Sequence, residues 1–292
     1  MEIEEIKRLI RISRERPLLP ETYVPWSDEL QANEYFLPEH LNSLEGTAIY
    51  ETLTPKQKLE LGRHEIVQVM YSYAWGEGLF CLFMNKYILG LSPDNLEYQF
   101  LLRELIEEFR HQEMFAQSIL KLGGQPIKIS RAHRLIGNIT TKLLPPDCLF
   151  MGSLSIEIVS DRYGNYGRKD PQLYNVLRKV FELHNIEEAR HIVFTKDLLK
   201  RYTVKAGFIR RTVYSFVVLF NIYFLRTLYV KKEIYQRIGM ENPDLAHKLA
   251  SKNYKTKFTK SCLQDIIEFV DSWRGFNGAT RWAWRWLMNA AV

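Results

Sequence analysis

Two short stretches carry side chains that can ligate a metal, at a spacing that places them on one face of a helix. "EEFRHQEMF" (107–115) contains Glu108 and His111, and "HNIEEARHIVF" (184–194) contains His184, Glu188 and His191. A helix turns about 100° per residue. Glu108 and His111 therefore share a face one turn apart, and His184, Glu188 and His191 fall within about 60° of one another. A carboxylate and an imidazole so placed bind one metal ion, or two ions when another helix supplies the same pair. A single Glu-x-x-His is a weak signal, because most such pairs face solvent. Here the words Glu-Glu-x-Arg-His occur twice, and they predict two equivalent helices of one bundle.

A helical bundle that holds two ions between carboxylates needs one further Glu from each of two other helices. Both exist. Glu77 lies 31 residues before Glu108 in "YSYAWGEGLFCLF", and Glu157 lies 31 residues before Glu188 in "LFMGSLSIEIVS". Gly76 and Gly78 flank Glu77 in an aromatic segment. Glycine inside a helix costs about 0.5–1 kcal/mol relative to alanine, so the pair implies that something needs close access there. Glu157 sits between Ile156 and Ile158 on a helix that reads as buried. A lone buried carboxylate is costly without a partner, and a metal ion is such a partner. The pattern Glu-x30-Glu-x-x-His, present twice, is specific where each part alone is weak.

Several neighbours read differently. Glu107 and Glu187 are turned about 100° from the ligand face and are expected to face solvent or to stand behind the ligands. Arg110 and Arg190 either orient ligand carboxylates from behind or pair with those two glutamates at the surface. His40, His64, His133 and His247 have no matching partners and read as ordinary. The tryptophans of "RWAWRWL" (281–287) suit packing or an oligomer contact, or the lining of a substrate channel.

Carboxylates mixed with imidazoles suit iron or manganese, and the absence of a thiolate argues against a structural zinc site. Six donors satisfy the ordinary bundle: Glu77, Glu108, His111, Glu157, Glu188 and His191. His184, one turn before Glu188, points at the same metal as a seventh. The His-x-x-x-Glu-x-x-His helix resembles that of the diiron arylamine N-oxygenase family, typified by the p-aminobenzoate N-oxygenase of aureothin biosynthesis and the chloramphenicol arylamine oxygenase. The resemblance covers about residues 60–200 and rests on these seven positions. It implies a three-histidine, four-carboxylate site holding two Fe ions, with O2 as co-substrate. The implied reaction takes an amine through hydroxylamine toward nitroso or nitro. The electron donor would be external, a reductase or ferredoxin, because the chain contains no flavin or nicotinamide fingerprint. Two rival classes stand beside this reading. A diiron C-hydroxylase or desaturase usually has six ligands, so His184 speaks against it. A non-catalytic ferritin-type protein would be shorter.

The elements that must position these residues read as all-α: a ferritin-like four-helix bundle core with additional N- and C-terminal helices, in a single domain of residues 1–292. Long helices are expected from the Thr54 cap to about residue 90, from about 94 to Gly123, around 148–167, and from after Pro171 to about 202. Beyond them are expected a helix at about 207–238, a shorter one at 243–253 and a C-terminal segment. Pro17, Pro20, Pro25 and Pro38 punctuate a short helix and a wrapping arm. Apolar residues make up 46% and charged residues 25%, enough for a large core and against extended disorder. A net charge of +6 and a pI near 9 suit an acidic substrate or an acidic partner protein, or read simply as a mildly basic surface; no nucleic acid is expected. Cys81, Cys148 and Cys262 are far apart and read as reduced thiols of a cytoplasmic protein. The apolar stretch 213–225 is too short to span a bilayer. A homodimer that takes a small-molecule amine is the expected assembly.

Overall fold

Thr54 starts the longest helix of the molecule. Its hydroxyl accepts from the Gln57 amide while the Gln57 side chain answers to the Thr54 amide, and Pro55 takes the first helical position, where its missing N–H costs nothing. In this computed structural model, which describes residues 2–292, the helices are α1 (Ile3–Glu15), α2 (Pro20–Tyr23), α3 (Ala48–Glu51), α4 (Pro55–Ile88), α5 (Leu96–Lys121), α6 (Arg131–Leu143), α7 (Pro146–Lys169), α8 (Asn175–Thr203), α9 (Phe208–Tyr229), α10 (Lys232–Arg237), α11 (Pro243–Cys262), α12 (Gln264–Ser272) and α13 (Gly278–Met288). Among the described residues there is no strand, only an isolated bridge between Tyr35 and Leu173.

Helices α4 and α5 pack as one hairpin and α7 and α8 as another, and α5 meets α8 across the middle. The fold is the ferritin-like bundle expected from the sequence. Gly123 closes α5 with φ of +59°, and at Gly124 a Cβ would come within 2.5 Å of Val67, so the loop can pass this close to α4 only on glycine. The remaining elements wrap the two hairpins. Helix α1 lies on α5, α6 on α4, and α9 on both α7 and α4, while α13 closes over α9. The arm ties to the α7–α8 turn: Tyr35 Oη donates to Asp170 at 2.5 Å and Asn175 donates to Asp28 at 2.6 Å.

Two expectations need correction. The helix expected over 207–238 is broken, because Val230 and Lys231 are extended. The turn lets α10 bury Ile234 and Tyr235 completely. Helix α11 runs nine residues past the expected end at 253, because Ala246, Ala250, Tyr254, Phe258 and Cys262, at four-residue spacing, form one buried stripe. By length and composition Phe208–Arg237 is apolar enough to cross a membrane, with half of its most apolar window buried. In the fold this segment is a core element, with Val218, Leu219 and Ile222 buried.

Candidate metal centre

Where the two hairpins meet, the apolar core gives way to carboxylates and imidazoles. The structure brings together all seven predicted side chains. Glu77 comes from α4, Glu108 and His111 from α5, Glu157 from α7, and His184, Glu188 and His191 from α8. His111 and His191 are wholly buried, and of the seven Glu77 keeps the most exposed edge, with Glu157 next. Glu188 Oε1 lies 3.5 Å from Nδ1 of both His111 and His191. Glu108 spans the same two rings, 3.2 Å from His191 Nδ1 and 3.9 Å from His111 Nδ1. These two carboxylates therefore stand where a bridge between two ions would stand. His184 Nε2 faces inward, 3.3 Å from Glu77 and 3.4 Å from Glu188.

The outer nitrogens of His111 and His191 are held crosswise. His111 Nε2 lies 2.9 Å from Glu187 on α8, and His191 Nε2 lies 2.8 Å from Glu107 on α5. Arg190 then donates to Glu107 at 2.8 Å and Arg110 to Glu187 at 3.2 Å. Glu107 and Glu187 are thus fully buried rather than solvent-facing, because α5 and α8 pack against each other along this flank. The arginines pair with these glutamates and so fix the rings indirectly. Each brace turns an Nδ1 atom toward the cluster and fixes the tautomer that leaves it free to bind. Ser13 on α1 donates to Glu107 at 2.5 Å, and Arg103 donates to Ser13. Burial would raise the Glu107 carboxyl, but the His191 and Arg190 contacts hold it well below the usual range.

Whether a metal fits can be read from what the donors lack. Both oxygens of Glu157, one oxygen each of Glu77, Glu108 and Glu188, and Nδ1 of His111 and His191 have no protein hydrogen-bond partner although they are buried. Burial pushes the carboxyls of Glu77, Glu157 and Glu188 up. At Glu108 the His111 and His191 contacts overcome burial and hold the carboxyl at about 2. Burial also depresses His184, which stays a neutral donor. No lysine or arginine among the described residues forms an ion pair with these four carboxylates. An uncompensated buried carboxylate costs on the order of several kcal/mol, and divalent cations are what this donor set lacks.

The sequence reading missed Glu104. It lies one turn before Glu108, is buried, and has both oxygens without a protein partner. Burial pushes its carboxyl up to about 8. One atom each from Glu104, Glu108 and His191 come within 4.8 Å of one another, and so do one each from Glu77, His111, His184 and Glu188. Each group fits one ion of a dinuclear site, and Glu104 stands in the second. A signal for it existed, since Glu104 precedes Glu108 by the same four residues as His184 precedes Glu188. The other histidines are apart from the cluster; His133, for example, bonds Ser130 and Thr227. Trp282 and Trp286 stack on each other at the surface and Trp284 is buried, and none of the three borders the cavities beside the cluster.

A cavity of about 50 Å³ touches the cluster at Glu77, Glu108, Glu157, His184 and Glu188. A second, of about 110 Å³, continues outward from it past Gly76, Phe80, Ser153 and Ile156. The access expected at Gly76 is present, since a Cβ there would point into open space. Gly78 instead faces Gln112.

Fold and donors together define a ferritin-like helical bundle with a carboxylate and histidine cluster suited to two metal ions. A sequence model described as P-aminobenzoate N-oxygenase AurF matches residues 2–274, and the chain belongs to that family. Among curated proteins it is similar to the uncharacterized proteins Mb0909 of Mycobacterium bovis and Rv0885 of Mycobacterium tuberculosis. Each is 24% identical over 155 residues, 52% of this chain and 46% of theirs. The match therefore spans about half the length of these relatives. Among solved structures, a mutant R2-like ligand-binding oxidase with an anaerobically reconstituted Mn/Fe cofactor superposes with a TM-score of 0.51 at 13% identity. The superposition covers 87% of this chain and 92% of that one, and the likeness is one of fold.

Proposed function

We propose that the protein is a diiron N-oxygenase that holds two irons through Glu77, Glu108, His111, Glu157, His184, Glu188 and His191 and oxidises a small-molecule amine. The observation that carries this reading is the third imidazole. His184 Nε2 faces Glu77 and Glu188, in a bundle whose ordinary donor set is complete without it. Family membership supports the amine as substrate.

Bound there, the irons would supply the redox chemistry, with two electrons from an external reductase or ferredoxin and O2 as the oxidant. In the first turnover one oxygen atom joins the amine nitrogen as hydroxylamine and the other leaves as water with two protons. The chain's own part is to hold and to exclude. Glu107 and Glu187 fix the rings of His191 and His111, so that these two donors are oriented before a metal binds. The apolar walls of the adjoining cavity keep bulk water from the reacting nitrogen.

The test is to load the protein anaerobically with ferrous iron, count the metal, and expose the reduced protein to isotopically labelled O2 with a panel of amines. Two irons per chain and label on nitrogen are expected. One iron per chain, or label only on carbon, would overturn the assignment.

A further inference from the structure

The outer cavity is walled by α4, α6, α7 and α9, with Trp75, Leu79, Phe83, Leu149 and Phe224 among its apolar surfaces. No charged side chain lines it. Its polar side chains are largely committed to backbone. Ser72 donates to the Gln68 carbonyl at 2.7 Å, Thr140 to Ile136 at 3.0 Å and Thr141 to Gly137 at 2.9 Å. Ser153 donates to Phe150 at 3.4 Å, and one Asn221 amide proton goes to Val217 at 2.8 Å. A carboxylate or phosphate seated here would lose its water and meet neither a cation nor a set of free donors, which is costly. The inner end has the opposite character, where the carboxylates and imidazoles of the metal centre face the cavity. Polarity thus runs along the cavity from uncharged and apolar to strongly polar.

Size narrows the occupant further. A dry apolar cavity of about 150 Å³ accommodates a benzene ring, and the two chambers here measure about 110 and 50 Å³. At Gly137 a Cβ would come within 2.7 Å of Leu79 and 3.1 Å of Trp75, so α6 lies pressed against α4 as the roof of the outer chamber.

We infer that the native substrate is an uncharged, apolar-bodied primary amine of about one ring. It enters amine first, and the body stays in the outer chamber. An anionic arylamine such as 4-aminobenzoate, the acid in the family's description, does not suit this chamber. The inference rests on the amine-oxidation reading for the reacting end, and on the cavity alone for the body.

Two probes that differ by one methyl group test it: methyl 4-aminobenzoate and 4-aminobenzoate, titrated calorimetrically into iron-loaded protein without O2 near pH 7. The ester is expected to bind at least about a hundredfold more tightly than the acid, because only the acid must bury a charge. Thr140→Arg, on the half-exposed roof helix, should shift the preference toward the acid, raising the ratio of acid to ester affinity at least tenfold over wild type. Equal binding of the two probes, tighter binding of the acid, or no binding of the ester overturns the inference. Binding is measured without turnover. A protein that binds the ester and oxidises no amine therefore keeps this inference and loses the reading it rests on.

Discussion

Helices α5 and α8 are two versions of one element, and they part company one turn before their shared motif. Both present Glu-Glu-x-Arg-His, and each sends its Arg and its first Glu across to the other. Where α8 has His184, α5 has Glu104. The residue types divide the cluster unequally. One donor group has two imidazoles and two carboxylates, Glu77, His111, His184 and Glu188; the other has a single imidazole with Glu104 and Glu108. A near-symmetric backbone can thus hold two ions in different electrostatic surroundings. The position richer in carboxylate suits the harder, more highly charged ion, and the position richer in nitrogen suits the softer one.

The comparison breaks most completely at Glu188, which stands in the first group and lies 3.5 Å from His191 of the second. Glu188→Ala removes the carboxylate that stands between His111 and His191. Bound iron should fall below one per chain by elemental analysis, with a loss of affinity beyond the roughly 10–100-fold that follows removal of an outer hydrogen-bond partner. Retention of two irons would mean that Glu188 is no bridge. Next come the two residues that make the halves differ. His184→Ala and Glu104→Ala should each weaken one iron by about a hundredfold and leave the other in place, so that Mössbauer spectra lose or shift only one of two signals. If both variants perturb the same signal, the proposed division between two positions is wrong. Glu104→Gln sharpens this further, since a buried neutral carboxyl would tolerate the amide, whereas a metal donor would not.

Smaller effects are expected in the brace. Glu107→Gln and Glu187→Gln keep shape and lose charge, and each should reduce iron affinity by about tenfold through the ring it orients. The two should be alike within a few-fold, and an effect confined to one would show that the brace is not equivalent on both sides. Ser13→Ala should have the least effect, about 1 kcal/mol in thermal or urea unfolding. It belongs to Glu107 alone, and a matching loss at Glu187 has no counterpart to come from.

What could be read beforehand follows the range of the interactions involved. The long helices and the convergence of the seven donors were legible because both are written in local spacing. The Thr54 cap and the Gly123 stop are local too. Burial of Glu107 and Glu187 was not legible. Helical angle alone puts them off the ligand face, and only the crossing of α5 with α8 makes that flank interior. Glu104 was legible in principle, since it holds the place in α5 that His184 holds in α8, but a lone glutamate on a charged helix signals far less than a histidine. The chamber draws on α4, α6, α7 and α9, more than a hundred residues apart in the chain, and no single segment signals it. The continuation of α11 could have been found from its four-residue apolar spacing, while the break at Val230–Lys231 depends on where Ile234 and Tyr235 find their pocket.

Ser13 has one more effect. Helix α1 reaches the cluster through the chain Ser13, Glu107, His191, so docking of the N-terminal segment and metal binding at His191 would share a free energy. Such linkage is reciprocal. Whatever tightens the metal also clamps α1 onto α5, and whatever peels α1 away loosens the metal by the same factor. Protease sensitivity at the arginines around Arg14 and Arg16 should therefore fall as iron is added. The N-terminal helix then serves as a reporter, readable on a gel, of whether the centre beneath it is filled.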